Sequence, residues 1–266
     1  MACPPLLPRH PDKASLAACH ARYESDAAVA QYCDAHFGPD KFGVANFPAR
    51  LARLCLAEMA EVPRRRALDL GCAVGRASFE LATGFVQVTG IDFSARFITI
   101  ARRLKERGRI RYPLPEEGEL ISDGEVYLAD LDLTLAAPRT AFYQGDVQRL
   151  ETHHRDYDLV LAANLIDRLA EPGRFLAEIH RRLVVGGLLA IASPYSWQEE
   201  FTSRRQWLGG RYRAGIPLTG LEGLGEKLAG HFVPVGQPQE MEFVLRETAR
   251  KYQHGISQLT LWRRVR

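Results

Sequence analysis

The sequence predicts an α/β protein: a doubly wound, mostly parallel sheet with helices on both faces and an antiparallel strand at its C-terminal edge. Three observations predict it. Short apolar runs alternate with amphipathic stretches along most of the 266 residues, the pattern of a parallel sheet wrapped by crossover helices. The segment "ALDLGCAVGRASFELA" (67–82) passes from an apolar strand through two glycines directly into a helical pattern. Near the C-terminus two apolar runs follow each other with only a short connection, so they are expected to pair antiparallel at the edge of the same sheet.

The elements follow in order. Residues 1–60 read as a helical N-terminal cap and 61–266 as the α/β unit. "RALDLG" is the first strand, followed by a helix over Ala77 to Thr83, and "VQVTGID" is the second, followed by Ala95 to Glu106. "YDLVLAAN" precedes a helix from Pro172 to Leu183, with proline in its first turn and Gly186 and Gly187 as its stop. "GGLLAIAS" is the next strand, and "MEFVLRET" and "SQLTLWRR" form the terminal pair. The insertion 107–139 is too long for an ordinary connection and is expected to cover a site. Residues 194–220 are aromatic and basic and follow a strand's carboxyl end, where open α/β sheets bind ligands, so substrate contacts are expected there.

Composition narrows the function. With 35 basic against 32 acidic side chains the chain has no basic field to track a phosphate backbone, so nucleic acid is not an expected partner. No apolar run is long enough for a membrane span or a signal peptide, and a soluble cytoplasmic protein is expected. The five cysteines, Cys3, Cys19, Cys33, Cys55 and Cys72, are scattered, with no CxxC and no zinc-finger spacing. They read as reduced thiols packed in the core, and no metal is expected. Asp130 and Asp132 in "ADLDLTL" are too few for an octahedral magnesium site and read as a solvated loop face.

The glycine turn carries the chemistry. A dinucleotide fingerprint places glycine at 71, 73 and 76, but here Ala73 and Arg76 stand at the second and third places. The run Asp69, Gly71, Ala73, Gly75 lets a turn pass close under a ligand that lacks a pyrophosphate. Asp92 ends the next strand, where a carboxylate accepts from both ribose hydroxyls, and Asp146 in "YQGDVQ" ends another, within reach of an adenine amino group. Carboxylates at successive strand ends describe a positively charged nucleoside rather than a chain of phosphates.

With "LDLGCAVG", "GIDFS", "QGDVQ" and "YDLVLAANLIDRL" in this order, the chain resembles the class I S-adenosylmethionine-dependent methyltransferases over roughly residues 60–195. The resemblance implies a Rossmann-like sheet of seven strands and S-adenosylmethionine as cofactor. It implies that Gly71 and Gly75 cradle the methionine part, Asp92 with Phe93 holds the ribose, Asp146 and Val147 lie near adenine, and Asn164 faces both donor and acceptor.

A narrower resemblance rests on "YESDAAVAQYCDAHFG", "NFPAR", "GCAVGRASFELA", "ANLIDRL", "SPYSW" and "RETARKYQHG", which span Tyr23 to His254. These stretches are similar to the 4-mercaptohistidine (5-thiohistidine) N1-methyltransferases of ovothiol biosynthesis. The implied acceptor is an imidazole nitrogen of a small thiol-bearing histidine, or of its selenol counterpart, since nothing in the sequence distinguishes the two chalcogens. Methyl transfer from a sulfonium is an in-line displacement that needs positioning in a dry site and no metal. An acceptor on the other ring nitrogen selects the reactive tautomer, with Asn164, Tyr195 and Glu242 as candidates. Arg168, Arg246 and Arg250 are candidates for the substrate carboxylate, Tyr195 and Trp197 for packing on its ring, and Tyr23 for closing over the donor. Other readings are a methyltransferase for another small molecule, a nicotinamide dehydrogenase, which Ala73 and Arg76 disfavour, and a donor-binding module without catalysis.

Overall fold

The computed structural model describes residues 21–59 and 62–266. Cys3, Cys19 and the first third of the expected N-terminal cap lie outside them. Two helices come first. α1 (Asp26–Phe37) is capped by the Ser25 hydroxyl, which accepts from Ala28 N, and α2 (Phe47–Glu58) by Asn46, which accepts from Ala49 N with Pro48 in the first turn.

The sheet strands are β1 (Arg66–Leu70), β2 (Gln87–Asp92), β5 (Thr140–Gln144), β6 (Tyr157–Ala163), β7 (Leu183–Ser193), β10 (Phe232–Thr248) and β11 (Lys251–Arg264). They are ordered β10-β11-β7-β6-β1-β2-β5. β5, β2, β1, β6 and β7 pair in parallel, whereas β11 is antiparallel to both β7 and β10. The terminal pair is therefore an antiparallel hairpin, as expected, with its second strand inserted next to β7 and its first at the edge. Side chains alternate between two apolar layers: in β6, Val160 and Ala162 join one core cluster while Leu159 and Leu161 join the other. Both faces are thus covered, which is why these strands read as unbroken apolar runs.

The crossovers are α3 (Arg76–Leu81), α4 (Ala95–Arg107) and α5 (Pro172–Ile179), with α6 (Gly220–Leu228) following β7. Gly186 and Gly187 do not stop a helix. α5 ends at Ile179, and both glycines lie within β7, where the pairing shifts from Tyr157↔Leu183 to Leu159↔Leu188. A bulge consumes them, with Gly186 at φ 83°.

The insertion 107–139 is ordered rather than a loop. Its core is a hairpin of β3 (Arg109–Glu117) and β4 (Leu120–Tyr127). Its tip meets the tip of the β10–β11 hairpin, where Ala249 N donates to Glu116 O. A third hairpin, β8 (Arg211–Arg213) with β9 (Ile216–Leu218), occupies part of 194–220. Beyond Gln258↔Ser193, the last pair with β7, the β10–β11 hairpin continues as a two-stranded arm past the carboxyl ends of the parallel strands. Among the described residues no helix is long and apolar enough to cross a membrane. Cys33, Cys55 and Cys72 are buried free thiols, as packing residues should be.

Candidate functional site

A cavity of about 390 Å³ opens at the carboxyl ends of β1, β2, β5 and β6. Each strand end contributes through the turn that follows it. After β1, Gly71 has φ 73° and Ala73 has φ 46°, both left-handed. A Cβ on Gly71 would stand 3.2 Å from the Leu165 side chain, a tight contact at a left-handed φ that favours glycine. Gly75, at φ 93°, caps α3 and does not line the cavity; a Cβ there would meet the Phe142 ring at 2.8 Å. Its place in the glycine turn is therefore close packing of helix on sheet rather than contact with a ligand.

Asp92 fastens this turn. Its Oδ2 accepts from Ala73 N at 2.8 Å and its Oδ1 from Ser94 N at 2.8 Å, leaving lone pairs on both oxygens for a ligand. Burial pushes its pKa up to about 6, against the lowering effect of those backbone N–H groups. Asp69 is buried and accepts from Ser78 Oγ at 2.6 Å; burial pushes its pKa up to about 7. Phe93, Asp146 and Val147 border the same cavity, and Asp146 caps its own turn by accepting from Gln148 N.

At the end of β6 stands Asn164, at φ 50°, a left-handed conformation that asparagine tolerates. Its Oδ1 accepts from Ser257 Oγ of β11 at 2.6 Å, which leaves its Nδ2 donors for a partner in the cavity. Arg168, on the next turn, also borders the cavity. It donates to Asp167 Oδ2 at 2.9 Å and to Ser196 O and Oγ, lies 5.0 Å from the Phe201 ring centroid, and its charge acts on the nearby Tyr23 hydroxyl. Tyr23 in turn packs edge-on against Tyr32 and Phe97 and lines the cavity.

Besides Gly75, five expected residues lie outside this lining. Arg246 is held 2.8 Å from Glu116, and Arg250 3.0 Å from Glu117, so these arginines tie the two hairpin tips together. Glu242 is exposed beside His254 on the outer arm. Tyr195, at φ 50°, packs against Gly220 and donates to Gln258 Oε1. Trp197 stacks with Trp207. The insertion 107–139 sends no residue into the cavity, and of 194–220 only Phe201 reaches it.

Their places are taken by residues the sequence did not single out. Phe243, Val244 and Leu245 from the arm meet Asp40, Lys41, Asn46 and Phe47 from the α1–α2 turn, with Phe47 and Phe243 rings 5.7 Å apart. His36 also lines the cavity; burial and then the Arg76 cation push its pKa down to about 3, so it is neutral. Arg76, at the third glycine place of a dinucleotide fingerprint, pairs with Glu80 at 2.7 Å and donates to His36 O. Among the described residues no group of His, Cys, Asp or Glu is placed to hold a metal.

Residues 68–191 match the family model described as "Methyltransferase domain". The seven-stranded sheet is Rossmann-like, and over this stretch the chain is similar to methyltransferase domains. Its cofactor is S-adenosylmethionine, and the residues fit that group: a side-chain-free turn at Gly71 and a carboxylate with free lone pairs at Asp92. No curated protein matches the methyltransferase. Solved structures are similar in fold. The 4+2 cyclase SpnF superposes with a TM-score of 0.58 at 17% identity, covering 94% of this chain and 97% of its own. The N-methyltransferase NodS from Bradyrhizobium japonicum WM9, in complex with S-adenosyl-L-homocysteine, gives 0.50 at 15% identity over 89% and 98%. The structure titled for conversion of a disulfide bond into a thioacetal group during echinomycin biosynthesis gives 0.51 at 19% identity over 80% and 81%.

Proposed function

We propose that the protein transfers a methyl group from S-adenosylmethionine to an imidazole nitrogen of 5-thiohistidine or of its selenium analogue, the last step of an ovothiol-type or ovoselenol-type synthesis. The observation that carries this reading is the part of the cavity lining where the Phe47 and Phe243 rings lie 5.7 Å apart, with uncharged His36 and Asn164 in the same lining. The motif series from Tyr23 to His254 supports it from the sequence side.

When bound, S-adenosylmethionine supplies an electrophilic methyl group on a sulfonium. Asp92 accepts from its ribose hydroxyls while holding the glycine turn, and Asp146 with Val147 borders the adenine. Asn164, anchored by Ser257 across the sheet, donates into the space between donor and acceptor. The reacting nitrogen must carry its lone pair, and a sulfur anion on the ring favours the protonated form. The Phe47 and Phe243 rings and the uncharged His36 and Asn164 supply no counter-charge to a protonated ring, and Asp40 is answered by the neighbouring Lys41, so the neutral, reactive ring is favoured. His36 is too weak a base to take the ring proton. Positioning and exclusion of water are therefore the enzyme's contribution.

A methyltransferase of the same fold for a different small molecule is the second reading, favoured by the spread of reactions among the similar structures. Incubation with S-adenosylmethionine and 5-thiohistidine, then mass spectrometry, decides between them. The expected result is a gain of one methyl group on a ring nitrogen. No gain with either chalcogen, together with methylation of another acceptor in a panel of small amines and thiols, transfers the assignment to the second reading.

A further inference from the structure

On the proposed reading the acceptor is an amino acid, and the cavity must answer its ammonium and carboxylate. The arginines expected to do so are spent elsewhere. Arg246 and Arg250 pair with Glu116 and Glu117, and Arg168 is occupied by Asp167 and Ser196. Arg149 and Arg174 border the cavity from exposed positions, next to Asp146 and Glu171.

The turn between α1 and α2 offers something different. Phe42 at φ 54° and Gly43 at φ 77° are left-handed in succession, and Lys41 and Val44 exchange backbone hydrogen bonds of 3.3 and 2.8 Å, so the chain reverses in a tight mirror-image turn. This turn is braced from outside, with the Phe42 ring edge-on to Tyr252 at 4.8 Å. Two neighbouring residues of opposite charge, Asp40 and Lys41, line the cavity from it. Asp40 Oδ1 accepts from Asn46 N at 2.9 Å, which fixes the carboxylate and leaves its other oxygen available. The Lys41 side chain is only 13% exposed, and Nζ stands 2.9 Å from Asp34 Oδ2 and 3.2 Å from Pro39 O. An ammonium has three N–H groups, so one remains for a ligand. An ion pair buried this deeply rarely returns its desolvation cost as stability. Its position against the cavity gives it a use in binding.

We propose that Asp40 and Lys41 form the subsite for the amino-acid end of the acceptor, Lys41 taking the carboxylate and Asp40 the ammonium. The assignment rests on the functional reading above, and the test separates the two. Steady-state kinetics are measured for the parent, Lys41→Met and Asp40→Asn with 5-thiohistidine, its decarboxylated analogue and its deaminated analogue. Lys41→Met is expected to raise KM for 5-thiohistidine on the order of 10- to 100-fold, the worth of a charge-assisted hydrogen bond. KM for the decarboxylated analogue, and the donor dissociation constant by calorimetry, should stay at parent values. Asp40→Asn is expected to show the same selectivity towards the deaminated analogue. Because Lys41→Met strands Asp34, the double variant Lys41→Met/Asp34→Asn is measured beside it and is expected to give the same substrate pattern. Equal penalties on all acceptors, or none, overturn the subsite while leaving the function standing. A parent enzyme that binds donor but methylates none of the three overturns the functional reading, and the subsite with it.

Discussion

The donor half and the acceptor half of the cavity are assembled differently. The residues that the proposed reading assigns to the donor, Tyr23 apart, sit within a few positions of a parallel strand's carboxyl end: Gly71 after β1, Asp92 on β2, Asp146 after β5 and Asn164 after β6. The acceptor side joins segments far apart in sequence. The α1–α2 turn meets the arm at Phe47 and Phe243, and β11 reaches back so that Ser257 anchors Asn164. A site made of local turns is written in short motifs, whereas a site made by docking of distant segments is written in the packing of the whole chain.

The sharpest way to break this contrast is to remove the residue on which the donor half turns. Asp92→Ala deletes both the anchor of the glycine turn and the partner of two hydroxyls, each a charge-assisted bond worth about 1.5–3 kcal/mol. Donor affinity by calorimetry should fall on the order of 100-fold or more. A change of less than about threefold would place the nucleoside elsewhere and dissolve the division into halves.

Next in size is a change of packing rather than of chemistry. Gly75→Ala puts a Cβ 2.8 Å from the Phe142 ring at a left-handed φ of 93°. Overpacking and backbone strain together should destabilise the fold by about 2–4 kcal/mol in urea unfolding. Since Gly75 does not line the cavity, the folded fraction should bind donor as the parent does. Weakened donor binding with unchanged stability would restore the direct cradling role suggested by the sequence.

A pH titration separates the halves again, with a smaller effect. The Asp92 pKa of about 6 lies above its ordinary value of 3.8 because the carboxylate is buried. Folding therefore favours its protonated form. Its contribution to stability is present below about pH 4 and is lost as pH rises through about 6. Donor binding runs the opposite way, because only the ionised carboxylate accepts from both hydroxyls. Affinity should decline as pH falls through about 6, and Asp92→Asn should flatten that decline. An unaltered pH profile in the variant would move the titration to Asp69, whose pKa of about 7 comes from deeper burial.

How much could be read in advance follows the same division. The doubly wound sheet and the antiparallel terminal pair were legible, and so was the gathering of Asp69, Gly71, Asp92, Asp146, Val147 and Asn164 around one cavity, because burial on both faces leaves continuous apolar runs and each turn is local. The β3–β4 hairpin was not. Pro113 and Pro115 and a run of charges disguise it as a loop, yet an isolated two-stranded ribbon tolerates proline and needs little burial. The terminal pair was read too short for a similar reason: β10 begins at Phe232 rather than Met241 and β11 at Lys251 rather than Ser257, and the added residues are mostly exposed, so no apolar alternation marks them. Gly186 and Gly187 looked like a helix stop because a bulge and a C-cap ask for the same residue.

The smallest expected effect bears most directly on the acceptor half. Residue type alone nominated Arg246 and Arg250 for a substrate carboxylate, and geometry assigns them to the joint between two hairpins. Arg246 is the more enclosed of the two, so Arg246→Met should lower the thermal midpoint, with acceptor KM unchanged. Arg250 and Glu117 are both exposed, and an ion pair of that kind contributes little once solvent screens it. Arg250→Ala should therefore match the parent in unfolding midpoint, donor affinity and acceptor KM alike. A rise in acceptor KM confined to Arg250→Ala would mean that the hairpin tips fold over the cavity during turnover, and the acceptor half would then extend to the joint itself.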